Sequence, residues 1–295
     1  MSIPIFTLKT SNTSNSNFIV ILDCLNPVSD ISSPRRNHDD LRVKLVGKDN
    51  PEKIEQNLKL ITCANKQEFL HFFEALFQHF NNPGFKPMFI IHAHGDKKNG
   101  LQLPDNSFIE WSKLIELFYG VTKRCNGDLT VISGFCYSYE LIKHIPKNER
   151  LPFAFYYGYD NKISAGTVED EINKIIQSFI NDGGKHLFSI LPKLRIKCYG
   201  EFDFIRAILI HALLMAADPK MLSALDPNLS QNKIKKSIYN KIEGPLQGID
   251  KLIKQITRTD ILAVELIKHY MYDTERRTYA LKSVDNYFSL LNTKR

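Results

Sequence analysis

Two short segments of the sequence combine side chains that can carry out nucleophilic catalysis. The segments are His92–Asp96 (HAHGD) and Ser133–Ser138 (SGFCYS), and each follows an apolar run. A cysteine thiol, with an ordinary pKa of about 8.5, is mostly protonated at neutral pH, so it needs an imidazole nearby to take its proton. We therefore interpret Cys136 as a candidate nucleophile and His94 as its general base, which then returns the proton to the leaving amine.

The glycine that follows the candidate base adds a further function. Gly95 has no side chain, so its backbone can pass close to a substrate carbonyl. The backbone N–H groups of Gly95 and Cys136 could stabilise the negative charge on the attacked oxygen, at about 2.7–4 kcal/mol per donor. Ser133 and Gly134 are small, and we expect them to leave room for a substrate chain.

The elements that must position these segments follow from the hydrophobic pattern. Short runs rich in Val, Ile, Phe and Tyr alternate with segments of helical spacing, which predicts an α/β three-layer sandwich with a mostly parallel sheet. Ligands bind at the carboxyl ends of strands in such a sheet, so both segments are expected at the same edge. Strands are predicted at Phe18–Asp23, Leu58–Cys63, Pro87–His92, Leu129–Ser133 and Pro152–Gly158, and helices at Gln67–Phe80, Ile109–Tyr119, Tyr139–His144 and Glu169–Ile180.

The pattern also predicts how the chain is divided. Residues 1–17 form a polar lead-in, residues 18–190 the α/β domain, and residues 191–295 a mainly helical region. Thr167 is predicted to cap the helix Glu169–Ile180, and Gly183 to end it. The alternation in Lys193–Lys197 predicts a strand with one solvated face, and Ala207–Ala217 predicts a buried helix, since a bilayer span needs about 20 residues.

Composition excludes several classes of function. The chain has 295 residues, 43% of them hydrophobic, and a net charge of +7. This spread excess of Lys and Arg favours a solvated surface over nucleic-acid binding. The five cysteines form no CxxC pair or metal-ligand cluster, and no phosphate-binding glycine loop is present, so we expect no metal and no cofactor. The start of the chain lacks the apolar core of a signal peptide, which favours a cytoplasmic location.

The order of these motifs resembles that of the caspase-like (clan CD) cysteine peptidases, and is most similar to their CHAT and separase-type branch. The resemblance is carried by the strand ending in His-x-His-Gly, by Gly100–Ser107 (GLQLPDNS) leading into an Ile-Glu-Trp helix, by the Ser-Gly-Phe-Cys-Tyr-Ser segment, and by Tyr157–Asp160. It covers residues 15–190.

The resemblance implies a cysteine endopeptidase, a thiol protease that hydrolyses a protein or peptide substrate. His94 is then the catalytic histidine, Gly95 an oxyanion donor and Cys136 the nucleophile, while His92 matches a histidine with a structural supporting role. Regulation by a partner protein, by self-association or by proteolytic processing is also implied.

The resemblance leaves the substrate preference open. Members that cleave after basic residues carry an acid in their specificity pocket, in one branch two residues before the cysteine, where this chain has Gly134. Asp23, Asp96 and Asp160 lie near predicted strand ends and are candidate pocket acids. The Gln-Ala-Cys-Arg-Gly signature of caspases is absent, so cleavage after aspartate is not implied.

Other interpretations of the same residues remain. Taken singly, Cys136 fits a buried core cysteine and His94 an imidazole satisfied by backbone groups. A caspase-like module without activity that binds a protein partner would keep the fold. A cysteine acyltransferase or amidase would keep the pair but transfer the acyl group.

Overall fold

The computed structural model describes residues 8–10, 13–47, 49–79, 84–146, 150–184, 187–201, 203, 259–271 and 275–282. The chain divides into two compact units, Met1–Glu201 and Phe202–Arg295. Residues 1–7 of the predicted lead-in, the predicted helix Ala207–Ala217 and most of the predicted helical region lie outside the described residues. In the second unit, the described residues include the helix Thr259–Tyr270 and a helical segment at 275–282.

The first unit is built on a mostly parallel sheet, and a small antiparallel pair, β1 (Leu8–Thr10) and β2 (Thr13–Ser16), precedes it. The main sheet has eight strands, which are β3 (Phe18–Cys24), β4 (Leu58–Thr62), β5 (Pro87–Asp96), β6 (Gly100–Gln102), β7 (Phe108–Ile109), β8 (Thr130–Gly134), β9 (Phe155–Gly158) and β10 (Lys197–Gly200). Their order in the sheet is β10-β9-β8-β5-β3-β4, with β6 and β7 attached as a short extension of β5.

Helices flank the sheet. They are α1 (Ser33–Val46), α2 (Pro51–Asn57), α3 (Lys66–His79), α4 (Trp111–Arg124), the 3₁₀ helix Ser138–His144, α5 (Ala165–Asp182) and the short α6 (Leu187–Ile190). On one face, Phe73 of α3 and Phe118 of α4 share an apolar core with Phe89 of β5. The helices α1 and α5 contact each other and the strands β3 and β8. The prediction of an α/β three-layer sandwich is confirmed.

Some predicted boundaries differ from the structure. Ser164, not Thr167, is the N-cap of α5, because the Ser164 side chain accepts the backbone N–H of Thr167. Gly183 ends α5 in the left-handed conformation, as predicted, with φ 65°. The first unit extends beyond the predicted boundary at 190, since β10 pairs antiparallel with β9. The strand predicted at Lys193–Lys197 begins only at its last residue, because Leu191–Lys193 form a 3₁₀ turn and β10 starts at Lys197.

Among the described helices, none is both long and apolar enough to cross a bilayer.

Candidate active site

The carboxyl ends of β3, β5 and β8 open into one cleft of about 250 Å³. It is lined by Leu25, Ser29, Asp30, Ile31, Ser33, His92, Ala93, His94, Gly134, Phe135, Cys136, Ile163, Ala165 and Val168. Because β5 and β8 are parallel neighbours, the residues that follow them emerge at the same edge of the sheet. The structure therefore brings His94 and Cys136 into a common cleft.

The His94 imidazole is held by the carboxylate of Asp30, which is not among the predicted site residues. Its Nε2 lies 3.0 Å from Oδ2 of Asp30. Asp30 is fixed in turn by the loop after β3, since Oδ2 accepts the backbone N–H of Asn26 at 2.8 Å and the Asp30 N–H donates to the Asn26 carbonyl. A carboxylate can only accept here, so the Asp30 bond favours a proton on Nε2 and leaves Nδ1 as the proton acceptor.

The Cys136 thiol is half-buried and contacts the loop that leads into α5. Its Sγ accepts the N–H of Ile163 at 3.4 Å and donates to the Ile163 carbonyl at 3.6 Å. In this structure the hydrogen bonds of the thiol therefore run to Ile163 and not to His94. The next residue, Tyr137, has a positive φ of 58°, and its N–H donates to the Asn161 carbonyl. A non-glycine residue in this conformation is strained, and such strain is concentrated at functional sites.

Gly95 lies directly against the segment that carries the nucleophile. A Cβ at Gly95 would lie 2.0 Å from the Cys136 carbonyl oxygen and 2.7 Å from Cδ2 of Phe135. Phe135 stacks on Trp111, with ring centroids 6.2 Å apart, and the Trp111 indole donates to the carbonyl of Lys97 after β5. Trp111 therefore packs against the segment that carries Cys136 and hydrogen-bonds the segment that follows Gly95. The close approach of these two segments requires a glycine at position 95.

The expected space beside Gly134 is occupied. A Cβ at this glycine would lie 2.8 Å from Ile172 and 2.9 Å from Val168, both on α5, and Ser133 is buried. Gly134 borders the cleft, but its lack of a side chain makes room for α5. The expectation that Ser133 and Gly134 leave room for a substrate is therefore corrected.

Two of the three predicted pocket acids are held elsewhere. Asp96 accepts the backbone N–H groups of Lys98 and Asn99 and shapes the turn after β5. Asp160 pairs with Lys197 of β10, whose ammonium group lowers the pKa of that carboxyl. Neither aspartate lines the cleft.

Asp23 and His92 lie side by side near the carboxyl ends of β3 and β5, and of the two only His92 lines the cleft. They are paired residues of β3 and β5, and Gly134 of β8 is the partner of His92 on the other side. Burial raises the pKa of the half-buried Asp23 carboxyl, a hydrogen bond from Leu25 N–H opposes this, and the charge of Asp30 adds to the rise.

The His92 imidazole is 1% exposed, and burial lowers its pKa to about 4, so it is neutral at pH 7. Its Nε2 has no hydrogen-bond partner. The resemblance implies a structural supporting role for His92, but Nε2 makes no hydrogen bond that would serve such a role.

Among the described residues, no group of three His, Cys, Asp or Glu side chains could hold a metal ion. No model of a known protein family matches the chain, and no curated protein matches it.

Proposed function

We propose that the protein is a caspase-like cysteine endopeptidase in which Cys136 is the nucleophile, His94 the general base and Asp30 the residue that positions the imidazole. The observation that carries this proposal is the 3.0 Å contact between His94 and Asp30 in the cleft that also contains Cys136. A thiol, an imidazole and an orienting carboxylate at one site are the parts that nucleophilic catalysis requires.

The reaction proceeds through a covalent intermediate. Nδ1 of His94 takes the thiol proton, and the Cys136 sulfur attacks the peptide carbonyl to form a tetrahedral oxyanion. The C–N bond then breaks, His94 gives the proton to the leaving amine, and a thioester remains. His94 then takes a proton from water, and the resulting hydroxide attacks the thioester carbonyl. The C–S bond breaks, the carboxylic acid is released, and the Cys136 sulfur recovers the proton from His94.

The contact with Ile163 affects the first step. When the thiol loses its proton, it can no longer donate to the Ile163 carbonyl, whereas the Ile163 N–H can still donate to the sulfur. Deprotonation therefore breaks one of the two bonds and keeps the one that favours a negative sulfur.

A second candidate function is a protein-interaction module without peptidase activity. It is favoured by one observation, namely that the Cys136 thiol bonds to Ile163 in this structure and not to His94. In that case the cleft residues would have a structural role only.

Thiol alkylation separates the two functions, with Cys198 as the internal reference because it is also half-buried. We expect iodoacetamide at pH 7 to modify Cys136 at least about tenfold faster than the same residue in the urea-denatured chain. His94→Ala should remove that advantage, and Cys136→Ala should abolish cleavage of a denatured protein substrate.

Alkylation of Cys136 at the denatured-state rate, together with the absence of any cleavage that Cys136→Ala removes, would overturn the peptidase and leave the interaction module as the remaining candidate. Mass spectrometry of the peptide products in the presence of an added amine identifies an acyltransferase, since the new amide would replace the free carboxylate.

A further inference from the structure

Ser138 follows the candidate nucleophile by two residues and begins the 3₁₀ helix Ser138–His144. Its side chain is fully buried, and its hydroxyl donates a hydrogen bond of 3.0 Å to the carbonyl of Ser133 in β8. This bond spans five residues of the chain, so it closes the turn that carries Cys136. The hydroxyl therefore restrains the backbone on both sides of the candidate nucleophile.

The same hydroxyl binds a second segment of the chain. Its oxygen accepts the backbone N–H of Tyr159 at 2.8 Å. A hydroxyl can donate one hydrogen bond and accept others, so one side chain serves both partners. Tyr159 precedes the loop to α5, in which the Ile163 N–H donates to Sγ of Cys136. Ser138 therefore joins the turn that carries the thiol to the segment that binds the thiol.

The turn that Ser138 closes contains a strained residue. Tyr137 has a φ of 58°, and its N–H donates to the Asn161 carbonyl at 3.2 Å. A strained backbone of this kind persists only where the surrounding structure holds it in place. The bond from Ser138 to Ser133 spans Tyr137 and contributes to holding it.

The surroundings of Ser138 enclose its hydroxyl tightly. A Cβ at Gly158 would lie 2.9 Å from Oγ of Ser138, and the Tyr156 hydroxyl donates to the Ser138 carbonyl at 2.7 Å. Solvent reaches neither the Ser138 nor the Tyr156 side chain. Loss of the Ser138 hydroxyl would therefore leave the Tyr159 N–H without this acceptor in a buried place, which is unfavourable. We expect the segment that follows Tyr159 to shift in response.

We propose that Ser138 is a positioning residue of the candidate active site, whose hydroxyl holds the Ile163 N–H against the sulfur of Cys136 and thereby favours the thiolate. The bond from this N–H is the one that survives deprotonation, and hydrogen bonds to an ionised group are stronger than those to a neutral one. Ser138 does not line the cleft, so it affects the chemical step and not the binding of substrate. This proposal rests on the proposed function and assigns a further residue to the same site.

The test replaces Ser138 by alanine, which removes the hydroxyl and keeps Cβ. The substrate is the most rapidly cleaved member of a fluorogenic peptide set that varies in the residue before the cleaved bond. We expect kcat to fall about tenfold with KM unchanged within about twofold, because the lost interaction acts on the nucleophile.

A second readout follows the thiol itself. The rate at which iodoacetamide modifies Cys136, measured against pH by mass spectrometry, should reach half its maximum about one pH unit higher in Ser138→Ala than in the wild type. The midpoint rises because the thiolate loses a hydrogen bond that favours it. A serine that only stabilised the fold would not move this midpoint.

Ser178→Ala is the matched control. Ser178 is also buried, and its hydroxyl donates to Asp182 within α5, so the change removes one hydroxyl hydrogen bond away from the turn. It should leave kcat and the alkylation midpoint unchanged. Tyr156→Phe is a second test variant, since it keeps the ring and removes the bond to the Ser138 carbonyl. We expect it to raise the midpoint by about half as much as Ser138→Ala does.

Each possible result decides the proposal. A folded Ser138→Ala protein with the wild-type midpoint, an equal shift in Ser178→Ala, or an effect on KM alone would overturn the role of Ser138 and leave the peptidase intact. If Ser138→Ala does not fold, an unchanged midpoint in Tyr156→Phe overturns the role and a raised midpoint supports it. If no peptide is cleaved and wild-type Cys136 is alkylated no faster than in the denatured chain, the proposed function fails, and the role of Ser138 fails with it.

Discussion

Replacement of Gly95 by alanine tests whether the close approach of the two segments matters for activity. The new Cβ would lie 2.0 Å from the Cys136 carbonyl oxygen. Nonbonded carbon and oxygen atoms stay about 3.3 Å apart, so the segments must separate by about 1 Å. A displacement of about 1 Å at a catalytic site reduces rates by about 100-fold, and overpacking costs about 1–3 kcal/mol of unfolding free energy. We therefore expect Gly95→Ala to reduce kcat/KM about 100-fold in a protein that still folds.

The assay compares this variant with Gly166→Ala, because a Cβ at Gly166, in the first turn of α5, would meet no atom within 4 Å. Gly166→Ala should leave kcat/KM unchanged and raise the free energy of unfolding by about 0.5–1 kcal/mol. Urea unfolding measures the stability of both variants, and cleavage of a common peptide measures their activity. A folded Gly95→Ala protein with kcat/KM within threefold of the wild type would refute the geometric argument.

Two further predictions concern the charged groups of the site. Asp30→Asn should lower kcat/KM about tenfold, which is at the low end for the loss of a charged hydrogen bond because the His94 side chain is 57% exposed. The control Asp39→Asn, on the exposed side of α1, should leave kcat/KM unchanged. Equal kcat/KM values for the two variants would contradict a positioning role for Asp30. Burial lowers the pKa of His92 to about 4, against about 6.5 in the unfolded chain, so the unfolded chain binds a proton between these pH values that the folded one does not. The contribution of neutral His92 to the free energy of unfolding is therefore complete above pH 6.5 and declines as the pH falls, by about 2 kcal/mol between pH 7 and pH 5. Urea unfolding should show this loss in the wild type and in His71→Gln, a control at an exposed histidine, but not in His92→Gln. An equal loss in His92→Gln would contradict the prediction.

The sequence predicted the central strands well because these are apolar runs buried in the sheet. The predicted strand Phe18–Asp23 differs from β3 by one residue. The strand predicted at Pro87–His92 continues in the structure to Asp96, because its last residues pair with β6. That pairing follows from the turn after β5 and leaves no trace in the apolar pattern. The parallel order nevertheless sufficed to place His94 and Cys136 at one edge.

The residues around the candidate base were harder to predict. Asp30 reaches His94 only because the loop after β3 folds back through the reciprocal hydrogen bonds of Asn26 and Asp30. The helix α1, which follows this loop, was not predicted either. Its middle and end contribute two buried apolar residues, Leu41 and Leu45, which are too few to show a helical hydrophobic pattern. A sequence with 32 acidic residues offers many candidates, and hydrophobic periodicity says nothing about which of them a loop will turn toward a strand end. The Asn26–Asp30 spacing ahead of Pro34 was the available signal, because such residues favour turns and helix starts.

The two reacting groups are held with different rigidity, and this bears on how the proposed enzyme would bring them together. Cys136 is restrained through the packing of Gly95 against its carbonyl oxygen and through its bonds to Ile163, and the strained backbone of Tyr137 follows it directly. The His94 side chain is more than half exposed and is anchored by Asp30. Rotation of an exposed imidazole costs less than displacement of packed backbone, since surface rotamers exchange freely while interiors pack closely. In the proposed mechanism the imidazole therefore adjusts to the sulfur, and the carboxylate of Asp30 limits that adjustment to orientations in which Nδ1 can take the proton.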